Sequence, residues 1–119
     1  MSRTKQLTLG AAAAFLALLS AGTLAHHGWS GYESALRKVS GEIEQVNYSN
    51  PHVSIHLKAP DQSWVVVLAP PSRMGTRGLT EGMLKVGSTV SVEGYRNASD
   101  KGEMRAERIS VAGKSFELR

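Results

Sequence analysis

All four histidines of this 119-residue chain fall in two places, at His26-His27 and at His52 with His56. A neutral imidazole is a good ligand for copper, zinc and nickel, so both pairs are candidate metal-binding elements. The chain contains no cysteine, which excludes thiolate metal sites, disulfides and cysteine nucleophiles. Metal binding through nitrogen ligands is therefore the chemistry that these residue types favour.

The spacing of His52 and His56 prevents them from sharing one ion. They lie four residues apart in an alternating segment, so on a strand they point to the same face about 13 Å from each other. Metal–nitrogen bonds are about 2 Å long, so a single ion does not bridge that gap. His52 is the better ligand of the two, because it follows Asn50-Pro51, a rigid turn that fixes its direction.

The first 25 residues predict a secretory signal peptide. A short basic segment precedes an apolar stretch over 7–19, which at about 13 residues is too short to span a membrane. The small residues Thr23 and Ala25 predict cleavage after Ala25. We therefore expect export by the general secretory route to the periplasm or the medium, with no membrane anchor in the mature chain.

Cleavage after Ala25 would create an unusual N-terminus. The mature chain would begin at His26, whose free α-amine and ring together chelate a copper ion. Residues 26–37 contain glycines and show no periodicity, which predicts a flexible N-terminal arm that can fold back. The sequence thus predicts a copper site formed by His26, His27 and His52, with His56 left out.

Charge and motifs exclude several other functions. The formal charge is +4, but two of the basic residues belong to the predicted signal and all ten acidic residues follow it. No cluster of five Lys or Arg residues is present, so we expect no nucleic-acid partner. A nucleophile elbow and a phosphate-binding glycine loop are also missing, so we expect no catalytic activity.

Hydrophobic periodicity predicts a chain of short strands. The predicted strands cover 39–48, 52–58, 64–68, 89–96, 103–112 and 115–118. A slip in the alternation before Val46 predicts a β-bulge in the first strand, and the apolar run from Trp64 to Leu68 predicts a strand covered on both faces. Ser72 is predicted to cap a short helix that ends at Arg77. The predicted core consists of Val53, Ile55, Leu57, Val66, Val90, Val92, Ile109 and Val111.

The order of these elements indicates the fold class. Three strands, a short helix and then two or more strands is the order of an OB-fold, a small and partly open Greek-key barrel. We therefore predict an all-β, OB-fold-like barrel of five to six strands with one short helix over 38–119. A β-sandwich is the alternative, because periodicity does not reveal strand order.

Several short motifs carry a resemblance to a known family. The most specific are His26-His27 directly after the signal and Asn50-Pro51-His52 at a strand start. The others are Gly41-Glu42-Ile43, Arg77-Gly78-Leu79, Lys85-Val86-Gly87 and the strand from Val90 to Tyr95. The chain resembles an uncharacterised family of small exported proteobacterial proteins. That resemblance implies no activity, but it implies that His26, His27 and His52 are the motif residues.

Two functional hypotheses follow from the sequence. The favoured one is a periplasmic or secreted, non-catalytic metal-binding protein that acts as a carrier or buffer, with copper as the ion because divalent copper leads the affinity order for nitrogen ligands. The alternative is an OB-like binding module that holds a peptide, a glycan or a protein partner on its barrel face. In the alternative the histidines are incidental.

Overall fold

A computed structural model describes residues 29–119 of the chain. The predictions for the signal peptide and for His26 and His27 lie outside the described residues. The strands are β1 (Tyr32–Asn47), β2 (Ser54–Lys58), β3 (Ser63–Val67), β4 (Thr89–Asn97), β5 (Glu103–Val111) and β6 (Lys114–Glu117). Between β3 and β4 lie the helix α1 (Pro71–Thr76) and a 3-10 turn (Glu81–Met83).

The strands form one sheet that closes on itself. Its order is β3-β2-β1-β4-β5-β6, and β3 also pairs with β5 in parallel, through Val65 with Glu103 and Val67 with Arg105. All other pairings are antiparallel. The ring β1-β2-β3-β5-β4 with a helix after β3 confirms the predicted all-β, OB-like class. The ring is not a regular barrel, since β6 extends the sheet outside it. This irregularity is consistent with the predicted alternative, a β-sandwich.

β1 is the longest strand and pairs with two neighbours in the ring, β2 and β4. Its first part pairs with β4 from Tyr32 to Glu42, and its last part pairs with β2. The register against β2 shifts between Ile43 and Gln45, which confirms the bulge predicted in this strand. The strand begins at Tyr32, so residues 32–37 of the predicted flexible arm belong to β1. Pairing with β4 orders this segment although its sequence does not alternate.

The core lies inside the ring. All eight residues predicted for it are buried, with at most 5% of their surface exposed. The largest buried side chain is Trp64 of β3, which is 1% exposed and donates from Nε1 to Asp61 at 3.3 Å. Met74 of α1 and Leu79 after it are fully buried and close one end of the core. The period-2 pattern therefore identified the inward face of each strand correctly.

Two local predictions were wrong. β3 is buried on one face only, because Val65 and Val67 alternate with Trp64 and remain partly exposed on the outside of the ring. The helix begins at Pro71 and no side chain caps it, so Ser72 lies inside its first turn. Proline suits the first helical position because its missing N–H is not needed there.

Among residues 29–119, no helix has the length and apolar character needed to cross a bilayer.

Gly94 marks a position where two backbones of the ring approach closely. A Cβ at this position would lie 2.1 Å from the carbonyl oxygen of Arg105 and 2.8 Å from Cα of Ala106. We predict that Gly94→Ala lowers the free energy of unfolding by about 1–3 kcal/mol, because the added methyl group forces β4 and β5 apart at this position. Urea denaturation measures the effect.

A second glycine supplies the control for this measurement. A Cβ on Gly82 has no atom within 4 Å, so Gly82→Ala should change stability by less than about 0.5 kcal/mol. Equal stabilities for the two variants would contradict the close approach of β4 and β5.

Candidate metal site on the outer face

The outer face of the ring carries the side chains that alternate with the core along β2, β3 and β5. One row across the three strands is Ser54, Val67 and Arg105, and the next is His56, Val65 and Glu103. The two valines are partly exposed, so this face combines charged and imidazole side chains with apolar surface. It is also the face on which His52 lies.

His52 lies immediately before β2 and is half-buried. The peptide bond of Asn50–Pro51 ahead of it is cis. On its other side the backbone N–H of Val53 donates to Ala69 at 2.9 Å, and Leu68 donates to the carbonyl of Val53 at 2.8 Å. Because the neighbouring residue is hydrogen-bonded to the end of β3, the position of the His52 backbone on this face is fixed.

The guanidinium of Arg105 lies beside the ring of His52. Its Nη2 is 3.5 Å from Nε2 of His52. Arg105 is on β5, and Glu103 and Glu107 flank it on the same face of that strand. A guanidinium only donates hydrogen bonds, so this contact is favourable when Nε2 carries no proton and accepts.

The first residue of β1 reaches the same region. Tyr32 donates from its hydroxyl to Oε2 of Glu103 at 3.2 Å, and Asn97 donates from Nδ2 to the same oxygen at 2.6 Å. Burial, and then the Glu103 carboxylate, raise the pKa of Tyr32, so its hydroxyl remains protonated and able to donate. His52, Arg105, Glu103, Tyr32 and Asn97 are called the outer-face cluster below.

Only one of the three predicted copper ligands lies in the described part of the chain. His52 belongs to the outer-face cluster, whereas His26 and His27 precede residue 29. Within residues 29–119, no group of three or more His, Cys, Asp or Glu side chains could hold a metal ion.

His56 lies within β2, opposite Gln45 of β1 and Val65 of β3. His52 precedes the strand and faces Arg105 instead. The two histidines thus have different neighbours.

Sequence reasoning missed Arg105 and Glu103 as parts of this region. The alternation along β5 places Glu103 and Arg105 on its outer face, but only the parallel pairing of β3 with β5 brings that face beside His52. Tyr32 lies in the segment predicted as an arm, and its partner Glu103 could not be named from the sequence. The available signal was the predicted OB-like order itself, in which the third and fifth strands are adjacent.

A family model described as a family of unknown function, DUF6152, matches residues 13–105. The chain belongs to DUF6152. The matched span includes β1 to β4, the start of β5 and every member of the outer-face cluster. A comparison with curated proteins gave no match. Because membership in DUF6152 assigns no ligand, the site has to be judged from its own chemistry.

Proposed function

We propose that this protein is exported and binds one divalent copper ion through His26, His27 and His52 as a non-catalytic carrier or buffer. The observation that carries the proposal is where β1 begins. Tyr32 hydrogen-bonds to Glu103, and Glu103 lies two residues from the arginine that contacts His52. The segment holding His26 and His27 therefore joins the ring in the same cluster as the third ligand.

Ligand chemistry favours copper over the other divalent ions. Cleavage after Ala25 would provide an amine and two imidazoles from consecutive residues, and His52 would add a third imidazole. Such a nitrogen set binds divalent copper most strongly among the first-row ions. In addition, a copper ion held between the arm and the ring would link the two parts of the mature chain, which a carrier that must retain its ion requires.

The test compares two histidine variants of the mature chain, residues 26–119. We predict that His52→Ala weakens copper binding by at least about tenfold, because one of three tethered ligands is lost. His56→Ala is the matched control and should bind as the parent does. Calorimetric titration with divalent copper in a weakly chelating buffer measures all three affinities.

Two outcomes would contradict the proposal. If His52→Ala binds copper as tightly as the parent, His52 is not a ligand of the ion. If the parent binds no more tightly than a free His-His-Gly-Trp peptide, copper binding is a property of the N-terminal residues alone.

The second outcome would favour a binding module instead. The observation that supports this alternative is the mixed character of the outer face, where Val65 and Val67 are partly exposed between His56 and Arg105. OB-folds bind extended ligands across the corresponding strands. We propose a peptide, a glycan or a protein segment as the ligand in that case.

A further inference from the structure

We infer that Arg105 competes with the metal for His52, so that an ion must displace the guanidinium before His52 can bind it. The inference rests on the proposed function and adds a residue that determines which ions bind. It follows from one contact, the 3.5 Å between Nη2 of Arg105 and Nε2 of His52.

The competition holds whichever ring nitrogen binds the metal. If Nε2 is the ligand, the ion takes the place that the guanidinium occupies. If Nδ1 is the ligand, the neutral ring must carry its proton on Nε2, and that N–H then faces an N–H of Arg105. Two donors do not form a hydrogen bond, so in both cases the contact with Arg105 is lost.

Two carboxylates lie near Arg105 on its own strand. Glu103 and Glu107 are each two residues from it in β5. Glu103 accepts hydrogen bonds from Tyr32 and Asn97 on one carboxylate oxygen, Oε2, and Glu107 accepts from Tyr95 and Arg119. A guanidinium displaced from His52 would turn along β5 towards one of these carboxylates.

Displacement of Arg105 sets a threshold for the ion. Moving a cation away from His52 costs free energy that the new metal–nitrogen bonds must exceed. Divalent copper gains most from imidazole and amine ligands, whereas manganese gains least. The cost is the same for every ion, so Arg105 lowers each affinity by a similar factor, and only an ion with strong nitrogen bonds, such as divalent copper, still binds at His52.

The test removes the charge at Arg105. Arg105→Leu in the mature chain should bind divalent copper about three- to tenfold more tightly than the parent, because the ion no longer has to displace a charged hydrogen-bond donor from His52. Arg108→Leu is the matched control, because it removes the same charge from the same strand at a residue paired with Glu93 and Glu117. It should bind copper as the parent does.

A double variant assigns the effect to His52. In a His52→Ala background, Arg105→Leu should no longer improve copper binding, so the two changes are non-additive. Tighter binding by Arg108→Leu as well would reduce the effect to net charge and overturn the inference. Weaker binding by Arg105→Leu would overturn it too, because Arg105 would then support the site.

A metal-free measurement separates this inference from the proposed function. The imidazole nitrogen chemical shifts of the parent should show His52 with its proton on Nδ1 and a hydrogen-bonded Nε2. Arg105→Leu should remove this preference for the Nδ1 tautomer. A proton on Nε2 in the parent contradicts the contact, whatever the chain binds. If instead the tautomer is as expected and His52→Ala leaves copper affinity unchanged, the proposed function fails and the competition with it.

Discussion

Replacing Val92 with aspartate unfolds the ring. Val92 is fully buried and lies in β4 between Val39 of β1 and Ile109 of β5. An unpaired carboxylate in an apolar core costs several kcal/mol, against a total stability of about 5–15 kcal/mol for a domain. We therefore expect Val92→Asp to lose the cooperative thermal transition that circular dichroism records for the parent.

A surface valine provides the matched control. Val86 is 66% exposed in the loop before β4, so Val86→Asp leaves its carboxylate in water and should shift stability by less than about 0.5 kcal/mol. A soluble Val92→Asp protein that melts at the temperature of the parent would contradict the assignment of Val92 to the core.

The sequence predicts the inward faces well because burial follows a simple period. Val53, Ile55 and Leu57 alternate with polar residues, and all three are fully buried. The bulge in β1 was also readable, since an extra residue shifts the apolar positions by one. These features depend only on residues that are close together in the chain, which is why one sequence is enough to predict them.

Features that depend on distant partners could not be predicted. Residues 32–37 look like an irregular arm, with Leu36 52% exposed, and they form a strand because β4 pairs with them. Val65 and Val67 look buried on composition alone, but both are partly exposed on the outer face. In both cases tertiary pairing overrides the local pattern.

In the candidate site too, the local feature was predicted and the distant partner was not. His52 was identified from its residue type and from the turn at Asn50-Pro51. Its neighbour Arg105 is 53 residues away in sequence, and the parallel pairing of β3 with β5 brings the two together. A metal site predicted from residue types and spacing therefore names candidate ligands but omits a cation that lies 3.5 Å from one of them.

The N-terminal histidines should have the largest effect on copper binding. We expect the double variant His26→Ala, His27→Ala to bind divalent copper about 10²- to 10⁴-fold more weakly than the parent, because it removes two tethered imidazoles and leaves only the α-amine and His52. The same calorimetric titration measures the loss. N-terminal sequencing of the exported parent should show His26 first. A different start would remove the α-amine of His26 from the chelate.

The outcome decides which part of the chain holds the ion. His56→Ala again serves as the control for the loss of an imidazole. If the double variant binds copper within about threefold of the parent, the imidazoles of His26 and His27 are not ligands and the proposed site is wrong. If it loses binding while His52→Ala does not, the copper is held by the arm alone. Loss in both the double variant and His52→Ala, with His56→Ala unaffected, is the pattern expected when arm and ring hold one ion between them.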